Sequence, residues 1–169
     1  MMHKFRLANN MSGRQYNPLC IYKRDLLKEE LGPDDNVVFV DDFSGSGQQV
    51  CDNWPVLKEL LPGKPNAYLA LVATSARAID KVGSETDLVV VPHNTLVDSD
   101  NIFSPNCRHF TQAEKDVLLN YCTQVDRDEP RGFHDSGLLV VLAHKTPNNS
   151  IPILHKRTRR WEGLFRRYD

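Results

Sequence analysis

The chain has 169 residues, 40% hydrophobic and 25% charged, with 21 basic side chains against 22 acidic ones and a net charge of -1. Those proportions fit one soluble domain, residues 1–169, with a real apolar core, and they exclude a global electrostatic pull toward nucleic acid or an anionic membrane. The apolar runs are strand-sized and broken by charge, and the opening MMHKFRLANN lacks a secretory apolar core, so neither a membrane span nor a leader is expected and a cytoplasmic location follows.

In chain order, short apolar stretches alternate with helical ones. Residues 4–7 read as a weak strand and 16–31 as a helix; 37–40 form a β-branched strand, followed by a helix at 47–61 that Pro55 should break in two. Next come a strand at 67–74, a helix at 75–82, a strand at 88–91 and a long polar segment at 92–109 rich in Asp and Asn. A helix at 111–125 opens on a Thr111 to Glu114 capping box, and 138–143 read as a last strand. Continuous apolar strands imply burial on both faces, and the β-α alternation implies an α/β fold: a mainly parallel sheet with flanking helices.

Cys20, Cys51, Cys107 and Cys122 are scattered without a CxxC pair. Reduced, mostly buried thiols are expected rather than a zinc site or a disulfide framework. His93, His109, His134, His144 and His155 lack ligand spacing and are read as ordinary histidines, although His93 directly follows a strand. The basic run HKRTRRWEGLFRR near the carboxyl end reads as a solvated face that an anionic ligand or partner could use.

The chemistry concentrates in VVFVDDFSGSGQQV, residues 37–50. In an open parallel sheet, ligands bind where strands end and loops lead into helices. Gly45 and Gly47 let backbone N–H groups turn toward one point, Ser44 and Ser46 add hydroxyls, and the next helix starts there with its positive end. Three familiar phosphate or phosphorylation readings fail on the letters. A Walker loop needs a lysine where Gln48 stands, a dinucleotide fingerprint needs a third glycine where Val50 stands, and a receiver domain needs an acid where 88–91 runs into Pro92, His93 and Asn94. What remains is a ligand with a phosphate and vicinal hydroxyls. The loop takes the phosphate, and Asp41 and Asp42 accept hydrogen bonds from a ribose and hold a hydrated cation.

These residues resemble the phosphoribosyl pyrophosphate motif of type I phosphoribosyltransferases, with Gln48 and Gln49 standing where that motif usually ends in a small residue and a threonine. SGRQYNPLCIYKR, VDDFSGSGQQVCDNW, LVATSARAID and GLLVVLAHKTPNNSIPILH together resemble, over almost the whole chain, the phosphoribosyltransferase-like domains of PRTase-CE type found in prokaryotic conflict and antiphage systems. The run TPNNSIPIL with Trp161 and Phe165 is the most specific part. Members of that branch are often longer at the amino end, so the resemblance implies a shortened member that keeps the nucleotide-facing core.

The resemblance implies a type I phosphoribosyltransferase-like core and Mg2+, held through water by Asp41 and Asp42. It implies catalytic roles for both aspartates, and phosphate and ribose binding by Ser44, Gly45, Ser46, Gly47, Gln48 and Gln49. A pyrophosphate loop after the first strand would contain Ser12, Gly13 and Arg14; a plain surface turn explains those residues equally well. A hood over the base or acceptor, residues 144–169, would use Asn148, Asn149 and Trp161. Turn chemistry and core plugging are the rival explanations, favoured for Trp161 and disfavoured for Asn149. Two functions stay open: transfer of phosphoribose from its pyrophosphate to a base or nucleotide in a defence-type system, and a catalytically silent sensor of a ribose phosphate acting through a partner. The expected assemblies are a homodimer or a complex with a separately encoded protein, covering the open sheet edge at 4–7.

Overall fold

A computed structural model describes residues 2–165. The chain divides into two compact units, residues 1–74 with 79–94 and residues 75–78 with 95–169.

The first unit is an α/β layer. Strands β1 (Asn36–Ser44), β2 (Asn66–Ser75) and β3 (Val89–Leu96) form a three-stranded parallel sheet in that order. β1 and β2 pair in parallel, with Val37 opposite Ala67, Phe39 opposite Leu69 and Ser44 opposite Thr74. Parallel neighbours require crossover helices. α2 (Gln48–Glu59) links β1 to β2, and α3 (Ala76–Glu85) links β2 to β3; α1 (Met2–Ala8) precedes them all. Side chains alternate along each strand. Val37, Phe39, Ala67 and Val90 therefore share one core with Leu26, Trp54, Leu57 and Val82. Trp54 anchors it, with its ring edge-on to Phe39 at 6.1 Å between centroids. Fully burying side chains of this size stabilises by about 1.5–3 kcal/mol each.

On the alternate positions, Val38, Val72, Val89 and Val91 remain 49–52% exposed. Burial on both faces was expected from the unbroken apolar runs, and this is corrected: α2, α3 and the segment around Leu26 all pack on the same core.

The second unit is built on α4 (Gln112–Val125). Thr111 Oγ1 accepts from the Glu114 N–H, and the Glu114 carboxylate accepts from the Thr111 N–H at 2.8 Å, so the capping box read from the sequence forms. Cys122 of α4 is fully buried with Ile102, Ile151, Ile153 and Leu154. Lys115, also buried, donates to the carbonyls of Ser104 (2.7 Å) and Cys107 (3.2 Å), fastening α4 to the preceding loop.

Four further readings are corrected. Residues 4–7 lie in a helix, because a four-residue alternation is too short to outweigh the helical preference of Lys, Arg, Leu and Ala; the open edge expected there does not exist. Residues 16–31 form 3-10 segments, Arg14–Leu19 and Lys23–Lys28, with Pro18 inside the first. Pro55 does not break α2, which runs unbroken through it; packing of Val50, Cys51, Trp54, Leu57 and Leu60 on the core outweighs the proline penalty of about 3 kcal/mol. Residues 138–143 join no sheet. Leu138 forms a single bridge to Ser150 and Leu142 one to Lys145, because the chain turns back locally and spends its carbonyls there: Leu138 O accepts from Ile151 N–H and Val140 O from Ser150 Oγ.

Candidate functional site

β1 delivers the acidic pair and the small-residue loop to its carboxyl end. Asp41 is exposed and Asp42 is buried, at 3% exposure. Alternation along a strand sends neighbouring side chains to opposite sides, so the two carboxylates do not share one environment. The Asp42 N–H donates to Asp41 Oδ1 at 2.9 Å, which fixes the rotamer of the outer acid. Of the pair, Asp41 is the one that faces solvent.

Beyond them, Ser44, Gly45, Ser46 and Gly47 are all buried. Gly47 caps α2 with φ +75°, in the left-handed region where a Cβ is disfavoured. Cys51 N–H closes the first helical bond onto Gly47 O at 3.0 Å, and Gln48 N–H donates to Ser46 Oγ at 3.3 Å. The loop is held from the next strand as well: buried Thr74 donates through Oγ1 to Ser44 O at 2.8 Å. Gln48 points down the helix, donating to Asp52 Oδ1 at 2.7 Å, and Gln49 is exposed. Burial, then a hydrogen bond to Glu85 and its charge, push the Cys51 thiol up, which favours the thiol over the thiolate.

Ser12, Gly13 and Arg14 also belong to the first unit. They follow α1 rather than a strand, which corrects the expected position of a pyrophosphate loop. Ser12 and Arg14 are exposed. The turn is organised by Arg6, whose guanidinium donates to Met11 O (2.9 Å), Gly13 O (3.3 Å) and Asn17 Oδ1 (2.8 Å). Arg6 escaped the sequence reading because it sat inside the misread strand.

The residues expected in a hood lie in the second unit. Asn149 is buried and donates to Ser136 Oγ (2.8 Å) and Phe133 O (3.3 Å); its amide stitches two turns together. Asn148 is exposed, with its carbonyl accepting from Phe133 N–H. Trp161 is half-buried on the core, its indole N–H donating to Ile153 O at 3.1 Å and its ring tilted 6.1 Å from Tyr121. Thr146 is fully buried, and its hydroxyl has no hydrogen-bond partner among the described residues.

A family model, PRTase-CE, matches residues 1–167. The chain belongs to the PRTase-CE family. No curated protein and no solved structure matches it. Residues 1–167 therefore make a phosphoribosyltransferase-like domain. Among the described residues, no helix is long and apolar enough to cross a membrane.

Proposed function

We propose that this PRTase-CE chain binds phosphoribosyl pyrophosphate with Mg2+ and transfers phosphoribose to a base or nucleotide acceptor, in a defence-type setting. The observation that carries the reading is the buried loop Ser44–Gly47 at the carboxyl end of β1, with Gly47 left-handed, continuous with the Asp41–Asp42 pair and running into the first turn of α2.

The residues divide the work by chemistry. Backbone N–H groups of the loop and the start of a twelve-residue helix favour a phosphate dianion. Exposed Asp41 accepts hydrogen bonds from the ribose hydroxyls, and its charge together with that of buried Asp42 favours the cationic ring that develops as pyrophosphate leaves C1. A hard cation fits this donor set. Among the described residues no three Asp, Glu, His or Cys side chains gather to cage a metal, and Mg2+ ordinarily takes one or two carboxylates, with water and substrate phosphates completing its shell. When bound, it supplies neutralisation of the departing pyrophosphate charge. Exposed Arg14 is the side chain of the Ser12–Gly13–Arg14 turn suited to pair with that same charge.

The test is incubation with phosphoribosyl pyrophosphate and Mg2+ against a panel of bases and nucleotides, with mass analysis of products. Metal-dependent release of pyrophosphate with a phosphoribosylated product is the expected result. Saturable binding without turnover would instead establish the silent sensor, and absence of binding would overturn both.

A further inference from the structure

The first unit holds a concavity of about 430 Å3 where β2 and β3 begin. Asn66 and Tyr68 come from the start of β2, Val89 opens β3, and Trp54 and Lys58 project from the second half of α2. Because β1 and β2 run parallel, this mouth lies at the opposite end of the strands from the Ser44–Gly47 loop. The proposed phosphoribosyl site does not use it.

Its charges do not cancel. The lining contains Lys58, Lys64 and Asp87. Asp87 is engaged twice, by Lys58 Nζ at 2.7 Å and by the Trp54 indole N–H at 2.6 Å. No carboxylate among the described residues pairs with Lys64, so the cavity keeps one uncompensated cation.

The backbone that carries Lys64 is fixed, and its side chain is exposed. Lys64 sits at φ +53°, between Gly63 and Pro65, with its N–H donating to Leu61 O at 3.0 Å. A Cβ at Gly63 would come within 1.6 Å of Leu31 O, so the turn is pressed onto the backbone of the segment before β1. A non-glycine residue held in the left-handed region persists only where its surroundings fix it. Around this lysine the walls are aromatic and aliphatic: Trp54, Tyr68, Leu61, Pro65 and Val89. A mainly apolar concavity of this size with a few fixed polar groups is the usual form of a small-molecule site.

We propose that this cavity binds a planar aromatic molecule carrying a single anionic group, its rings against Tyr68 and Val89 and its anion on Lys64. The probe is anilinonaphthalene sulfonate, with its uncharged analogue phenylnaphthylamine to isolate the contribution of the anion. The chain has two tryptophans, so a Trp161→Phe background leaves Trp54 as the sole donor for energy transfer to the dye. Should that background not fold, calorimetric titration of the parent chain gives the same constants.

Saturable binding of one dye per chain is expected. Lys64→Glu should weaken it about ten-fold and Lys64→Met by a smaller factor, while the uncharged analogue changes less than about two-fold in either variant. Thermal unfolding confirms that both variants are folded. Equal dye affinity in the parent and the folded Lys64→Glu chain would overturn the proposal, as would the absence of saturable binding in the parent. Because the readout involves neither phosphoribosyl pyrophosphate nor turnover, failure of the phosphoribosyl reading would leave it standing.

Discussion

Thr74 Oγ1 reaches across from β2 to the main-chain carbonyl of Ser44, 2.8 Å away, with Thr74 fully buried. It ties the end of one strand to the loop that follows its neighbour. Thr74→Val keeps the shape and removes the donor, leaving a buried carbonyl short of a partner. The expected loss is about 1–3 kcal/mol of stability, read by thermal or denaturant unfolding, with a weaker grip on ribose 5-phosphate in calorimetry on protein that remains folded.

At Gly47 the φ of +75° decides the outcome. A branched side chain there costs about 1–2 kcal/mol of backbone strain and fills space at the loop. Gly47→Val should abolish binding of ribose 5-phosphate and of phosphoribosyl pyrophosphate while lowering the unfolding temperature only modestly. If the folded variant binds as tightly as the parent, the loop is a turn and not a phosphate cradle.

Asp42→Asn preserves volume at a buried position and deletes the charge. Binding of phosphoribosyl pyrophosphate should fall at least about ten-fold, or turnover should vanish, on a fold that survives by circular dichroism. Unchanged binding and turnover in the folded variant would remove the acidic pair from the mechanism.

The core strands, α3, α4 and the Thr111–Glu114 box were legible in the sequence because each is written locally: β-branched runs, an apolar period and a capping pattern. What failed was decided by distant partners. Nothing near Pro55 says that Trp54 will pack on Phe39, and nothing within 138–143 says that its carbonyls will be taken by Ser150 and Ile151. In the site, the SGSG loop and its placement at a strand end could be read from glycine and serine chemistry. The burial of Asp42 and the roles of Thr74 and Arg6 could not, since each depends on what lies opposite.

Asp126 supplies a pH test within the second unit. A hydrogen bond from Lys156, at 2.9 Å, followed by those from the Glu129 and Asp128 N–H groups, holds its carboxyl below the ordinary 3.8. A lowered carboxylate value means that its contribution to stability is complete above 3.8 and is lost as pH falls through the lowered value. Asp126→Asn should therefore cost about 1–2 kcal/mol at neutral pH, with the gap from the parent closing in acid below that range. A gap that stays constant from pH 7 to pH 3 would contradict the assignment.

Thr111→Ala removes the hydroxyl that receives the Glu114 N–H and loosens the reciprocal bond. A loss of about 1 kcal/mol is expected, and faster amide exchange in the first turn of α4 than at Cys122 would localise it.

The half-exposed valines of the sheet bear on how stability varies with temperature. Val38, Val72, Val89 and Val91 already meet water in the folded chain, so unfolding wets less new apolar surface than in a sheet covered on both sides. The heat-capacity increment of unfolding should then fall below the roughly 2 kcal/mol/K usual for this length. A smaller increment flattens the stability curve, leaving the fold less sensitive to cooling and giving it a shallower thermal optimum.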